Sequence, residues 1–113
     1  MPSHRPRSVG KLIQSELSDI LRTEVKDPRL GFVTVTAVNM TRDLRTAKVF
    51  ISVMGDDGER AATLEGLNRA MSFIRRLIGQ RVRLRHVPEL LFEYDDTMER
   101  GARIDALLDS LKS

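Results

Sequence analysis

The residues that usually carry catalysis are sparse in this chain. Its two histidines, His4 and His86, lie far apart, and neither stands at a metal-ligand spacing. It has no cysteine, which removes disulfides, thiolate metal sites and thiolate catalysis together. Asp95 and Asp96 are adjacent carboxylates, but Asp96 with Glu99 three residues on reads as a capping box and not as an acid/base pair. "GDDG", Gly55 to Gly58, offers two carboxylates to a hard cation, too few for a dedicated site, and reads as a loop. No phosphate-cradling motif occurs. Arginine is what remains. "RAMSFIRRLIGQRVRLRHVP", Arg69 to Pro88, holds six arginines and no Asp or Glu. A guanidinium fork binds phosphate in bidentate fashion, so the chemistry this stretch offers is recognition of an anion.

The charge around it is uneven. The 113 residues carry only +3, yet residues 59–88 hold seven Arg against two Glu, net +5. Residues 89–113 hold seven acids against three basic residues, net −4. A basic middle beside an acidic end is a directed electrostatic surface. The plain alternative is a solvated helix face with some arginines paired to nearby acids. With no Trp and one Tyr, the chain is not a single-strand binder built on rows of stacked aromatics. At 41% hydrophobic and 31% charged residues it is expected to be one globular domain spanning residues 1–113. Residues 1–7 are expected to be flexible and residues 109–113 frayed. No segment approaches the ~18 apolar residues of a membrane span, and no apolar run follows the basic start, so a soluble cytoplasmic protein is expected.

These arginines need elements to position them. Val9, Leu12, Ile13, Leu17, Ile20 and Leu21 recur at helical spacing and predict a helix from about Ser8, as N-cap, to about Val25, where "KDP" stops it. "GFVTVTAVNM", Gly31 to Met40, reads as a strand. "AKVFISVM", Ala47 to Met54, alternates Ala47, Val49, Ile51 and Val53 with Lys48, Phe50 and Ser52. The "TRDLRT" turn between them predicts an antiparallel hairpin. A second helix starts near Glu59, with a stripe of Leu64, Leu67, Met71, Ile74 and Ile78. Phe73 falls out of phase with that stripe, which predicts a break at Ala70, Met71 and Ser72 that turns Phe73, Ile74 and Leu77 inward. "PELLFEYDD" predicts a third strand with Leu90, Phe92 and Tyr94 on one face. A final helix follows, with Ile104, Leu107, Leu108 and Leu111 as its stripe.

The order is α-β-β-α-α-β-α. Two helices between the second and third strands allow a crossover that returns parallel. The expected fold is α+β, a three-stranded mixed sheet with helices on one face. This is the order of the type II K-homology fold, whose paired helices grip a nucleic-acid backbone through Gly-x-x-Gly. No Gly-x-x-Gly occurs between Glu59 and Ile78.

Two blocks, "DPRLGFVTVTAVNMTRDLRTAKVFISVMG" and "FIRRLIGQRVRLRHVPELLFEYDDTMERGARIDALL", resemble the ribosome-binding factor A family of bacterial small-subunit assembly factors. The resemblance runs from about Arg5 to Leu108. It implies a type II K-homology fold with an Ala-x-Gly kink in place of Gly-x-x-Gly; here Ala70 matches and Ser72 stands where the family has glycine. It also implies binding to the immature 30S subunit, against 16S ribosomal RNA near its 5′-terminal helix and decoding region. A role in late assembly and rRNA processing, a link to growth in the cold, and a ribosome-associated GTPase that promotes release follow from the same resemblance.

The RNA-binding residues expected are Arg69, Arg75, Arg76, Arg81, Arg83 and Arg85, with Arg5, Arg7, Arg42, Arg45 and Lys48 as additional contacts. Arg69, Arg76 and Arg83 are spaced by seven, near one line on helical turns. Arg81, Arg83 and Arg85 alternate and would share a face. The expected protein is a monomer without metal or cofactor and not an enzyme. The rival reading is a protein-interaction module whose basic face grips an acidic protein. A phosphodiesterase is disfavoured by the missing metal and acid/base cluster.

Overall fold

A computed structural model of the chain describes residues 6–25 and 33–95. The expected final helix, the Asp96–Glu99 capping box and Arg5 lie outside the described residues. Within them the order is α1 (Pro6–Thr23), β1 (Val33–Met40), β2 (Thr46–Val53), α2 (Asp57–Arg69), α3 (Met71–Arg81) and β3 (Glu89–Tyr94). The first helix begins two residues earlier than Ser8, so Pro6 and Arg7 are helical and not part of a flexible arm. Proline suits a first helical position, where its missing N–H has no partner to lose and its φ is already helical.

Val9, Ile13, Leu17, Ile20 and Leu21 bury the inner side of α1, as their spacing requires. Leu12 does not join them and is 47% exposed. Gly10 sits in this stripe for a steric reason. A Cβ there would lie 2.6 Å from the Val38 carbonyl oxygen, so α1 packs on β1 at a distance only glycine allows.

β2 is the central strand, antiparallel to β1 and parallel to β3, giving the expected mixed sheet. Ala47, Val49, Ile51 and Val53 of β2 and Leu90 and Phe92 of β3 are buried toward the helices. Their neighbours Lys48, Ser52, Leu91 and Glu93 are exposed on the other face. The sequence alternation did not reveal a β-bulge at Thr36. The register slips between Val35 and Ala37, and the extra residue lets Val35 and Val38 both face the core three positions apart. Gln14 of α1 donates to the carbonyls of Val35 and Thr36, 3.3 Å each, and so caps the bulge.

The "GDDG" stretch is only partly a loop. Asp56 is the N-cap of α2 and accepts from the Glu59 N–H at 2.8 Å, while Asp57 and Gly58 are already helical. The Tyr94 hydroxyl donates to the Arg60 carbonyl and ties the end of β3 to α2.

The close approach at Gly10 gives a test. Alanine at a mid-helix glycine ordinarily stabilises by up to about 1 kcal/mol. Here Gly10→Ala forces α1 off β1 and is expected to destabilise by about 1–3 kcal/mol in urea unfolding. Gly58→Ala, whose Cβ would meet only Asp56 Oδ1 at 3.4 Å, is the control and stays near neutral. A stabilised Gly10→Ala would refute this packing.

Candidate nucleic-acid interface

The helix that follows β2 is interrupted at Ala70. This residue ends α2 and starts α3, with φ −85° and ψ 3°. A ψ near zero departs from the helical value near −42° and opens the backbone for one residue. The break is therefore narrower than the expected Ala70–Ser72. Met71 and Ser72 form the first turn of α3. Since φ stays negative at Ala70, the break needs no glycine, and Ser72 adopts ordinary helical geometry. The Ile74 N–H donates to the Ala70 carbonyl at 2.9 Å and starts the new helix in register.

The inward turn expected for Phe73 does not occur. Ile74 and Ile78 are the fully buried residues of α3, with Met71 and Leu77 packed beside the core. Phe73 is half-buried, and the Arg76 guanidinium carbon lies 5.5 Å from its ring centroid, within cation–π range. At 3.6 residues per turn, Phe73, Arg76 and Gln80 occupy the side of α3 turned away from Ile74 and Ile78.

The six arginines divide by what they touch. Arg81 ends α3 and reaches across to α1, where its Nη1 meets Asp19 at 2.6 Å and Glu16 at 3.4 Å, while its Nη2 meets Glu24, just past the end of α1, at 3.4 Å. Its side chain is 25% exposed, against 60% for Arg69, whose partner is Glu65 one turn back. Arg75 donates from Nε to the Pro88 carbonyl at 3.0 Å and from Nη2 to the Val87 carbonyl at 2.8 Å, pinning the α3–β3 connection. Arg83 and Arg85 are exposed and make no hydrogen bond or ion pair among the described residues. Among the described residues, Arg76 meets the Phe73 ring and no carboxylate. The expected common face of Arg81, Arg83 and Arg85 is thus not formed, because Arg81 turns inward. The line through Arg69, Arg76 and Arg83 is also broken: Ala70 separates the first two, and Arg83 lies beyond the end of α3.

Parallel pairing brings in residues distant in sequence. Thr46 pairs with Glu89, and the Glu89 N–H donates to the Arg45 carbonyl at 2.8 Å, so the β1–β2 turn abuts the start of β3. Arg45, Arg75 and His86 line one cleft there, with Asp43, Thr46, Val87 and Glu89. The turn is well fixed. Asp43 Oδ1 accepts from the Thr41 hydroxyl at 2.7 Å and the Arg45 N–H at 3.1 Å, and these bonds hold its carboxyl below the usual carboxylate range. Leu44 takes a φ of 61°, unusual without glycine, while packing against the core. Arg42 is exposed in the same turn. Arg7 and Lys11 line a groove with Asn39 and Met40 at this same end of the sheet. Lys48 is elsewhere, on the open sheet face, 3.6 Å from Glu93.

Among the described residues, no three His, Cys, Asp or Glu side chains gather where they could hold a metal ion. No described helix is long and apolar enough to cross a membrane. What the geometry provides is a basic surface on a K-homology-like scaffold.

Residues 5–108 match the family described as Ribosome-binding factor A. The chain belongs to this family. It is 54% identical over 112 residues to a Ribosome-binding factor A from Halothermothrix orenii, covering 99% of this chain and 92% of that one. It is 52% identical over 105 residues to one from Thioalkalivibrio sulfidiphilus, covering 93% and 81%. Among solved structures, the crystal structure of ribosome-binding factor A from Thermus thermophilus aligns with a TM-score of 0.72 at 24% identity, over 80% of this chain and 97% of that one. This supports the fold. The solution NMR structure of a Thermotoga maritima candidate ribosome binding factor A aligns with a TM-score of 0.63 at 35% identity, over 80% and 91%. A Thermus thermophilus homology model, fitted into a cryo-electron microscopy map of a complex with the 30S subunit, aligns with a TM-score of 0.66 at 25% identity.

The Arg81 cluster makes a pH-dependent contribution whose sign is fixed. The Arg81 guanidinium first, and Arg22 second, hold the Asp19 carboxyl below its ordinary value of 3.8. A carboxylate depressed in the folded state stabilises above its unfolded pKa, and the contribution is lost as pH falls through the folded value. Arg81→Met is therefore expected to lower the urea midpoint at about pH 7 and to lower it less at about pH 2.5, below the ordinary value of Asp19, where part of this contribution is already lost. An equal deficit at both pH values would assign the role of Arg81 to packing alone.

Proposed function

We propose that this protein is a non-enzymatic maturation factor that binds the immature 30S subunit through 16S ribosomal RNA. Its place is near the 5′-terminal helix and decoding region, where it supports late assembly and rRNA processing and then departs. Family membership supports the reading, as does the Thermus thermophilus relative fitted into a 30S complex. The observation that carries it is the state of Arg76, Arg83 and Arg85. All three are exposed and have no carboxylate partner among the described residues. Unpaired guanidinium groups in a region of net +5 are what phosphate contacts require.

Within the basic set, Arg76, Arg83 and Arg85 make the primary phosphate contacts. Arg75 and Arg81 position them, by holding the α3–β3 connection and the end of α3. Arg69 borders the surface and exchanges Glu65 for phosphate at little cost, because an exposed pair contributes little. Arg7, Arg42 and Arg45 extend the contact around the end of the sheet where the β1–β2 turn meets β3. Arg5, outside the described residues, is a further candidate contact. Lys48, on the opposite face, is the weakest member. The protein acts as a cytoplasmic monomer without metal or cofactor, serves growth in the cold, and leaves with the help of a ribosome-associated GTPase.

Arg76→Glu combined with Arg83→Glu tests the interface, since neither side chain supports the core. The double variant is expected to keep the parent melting temperature and to lose most of its association with 30S subunits. Each phosphate contact removed flattens the slope of log K against log salt by roughly 0.7–0.9. Unchanged binding with an unchanged slope would place the interface elsewhere.

A further inference from the structure

Phe73 is not explained by packing. It is one of five aromatic residues in the chain, yet it lies on the outward side of α3 while Ile74 and Ile78 fill the core. Directly after the break at Ala70, the helix presents Phe73, Arg76 and Gln80 on one side: a half-buried ring, an exposed guanidinium and an exposed amide. The Arg76 guanidinium carbon lies over the ring, 5.5 Å from its centroid. That distance is in cation–π range but not tight contact, so the guanidinium can swing to a phosphate without a large loss.

We infer that Phe73, Arg76 and Gln80 form a docking site for one unpaired nucleotide of RNA. The base lays its π face on the Phe73 ring, Arg76 takes the phosphate, and Gln80 meets the base edge. This deepens the proposed RNA-binding function and rests on it. Phosphate contacts fix position along any backbone. An aromatic face, by contrast, can be reached only by a base that has left its helix, in a bulge, a loop or an end. Chemistry favours a nucleotide over an acidic peptide here. A carboxylate would satisfy Arg76 but would leave the ring without a partner, whereas a nucleotide matches ring, cation and amide at once. The site would make the protein respond to whether a particular residue of the RNA is paired.

The test uses the full chain and three short RNA hairpins of equal length: fully paired, with one bulged 2-aminopurine, and with an abasic residue at the bulge. The bulged base is expected to bind more tightly than the abasic site, roughly 5- to 150-fold, the range of a single base–aromatic stack. Its fluorescence should be quenched on binding. Phe73→Leu should abolish this preference and the quench while leaving the salt slope unchanged. Phe73→Tyr should retain both, and it covers the case in which the leucine variant fails to fold. Arg76→Met should weaken all three RNAs and flatten the slope. Equal binding of bulged and abasic RNA with a steep salt dependence would overturn the nucleotide site and leave backbone recognition standing. No binding of any hairpin, with 30S binding intact, would also overturn it. Loss of 30S binding in Phe73→Leu with an intact bulge preference would assign the ring to a protein contact and overturn it as well.

Discussion

One guanidinium facing three carboxylates fixes the geometry on which the surface depends. Arg81 ends α3, Glu16 and Asp19 lie on α1 and Glu24 just past its end, so the ion cluster, together with the buried Ile74 and Ile78, holds α3 in position and in rotation about its own axis. With that rotation, Ile74 and Ile78 point to the sheet while Phe73, Arg76 and Gln80 point away. The break at Ala70 lets this happen without the same rotation being imposed on α2, which has its own anchor in the Tyr94 hydroxyl. The most basic part of the chain therefore contributes one arginine to holding the structure together and leaves others for a partner. The cluster is less exposed than the Arg69–Glu65 pair and gathers three carboxylates on one guanidinium, which makes it the firmer tie.

Much of the fold was legible because the hydrophobic periods are clear. The buried residues of α1 and the alternation of β2 and β3 follow directly from spacings of three to four and of two. The parallel return of β3 followed from the two helices before it. The bulge at Thr36 was not legible, because one inserted residue in a Val/Thr-rich strand leaves composition unchanged. Leu12 looked like part of the α1 stripe, but at about 100° per residue it falls well to one side of the line through Val9, Ile13, Leu17 and Ile20, and it stays exposed. The break near Ala70 was located correctly from a mistaken premise. Phe73 was out of phase because it stays outside the core, and the broken helix does not bring it in.

The candidate site was legible as charge and not as geometry. Composition shows that arginines cluster between Arg69 and Pro88, but not which of them face carboxylates sixty residues away. Arg81 and Arg83 look equivalent in the sequence; only the packing of α3 on α1 distinguishes a carboxylate-paired arginine from an open cation. The nearness of Arg45 to Arg75 and His86 depends on the register that pairs Thr46 with Glu89, and no local pattern reveals it. The Phe73–Arg76 pair was visible as spacing, three residues apart on a helix, yet its meaning depended on which side of α3 is buried.

Under the proposed function, the helical side, and not the open face of the sheet, meets RNA. Because the chain has no cysteine, single cysteines can be labelled without background. Ser72→Cys places a tethered iron–EDTA probe one helical turn from Arg76, and Ser52→Cys places it on the opposite, exposed sheet face. Bound to immature 30S particles, the probe at position 72 is expected to cleave 16S ribosomal RNA strongly at a small set of sites, and the probe at position 52 to cleave it weakly. Strong cleavage from position 52 with none from position 72, in variants that bind normally, would contradict the proposed interface.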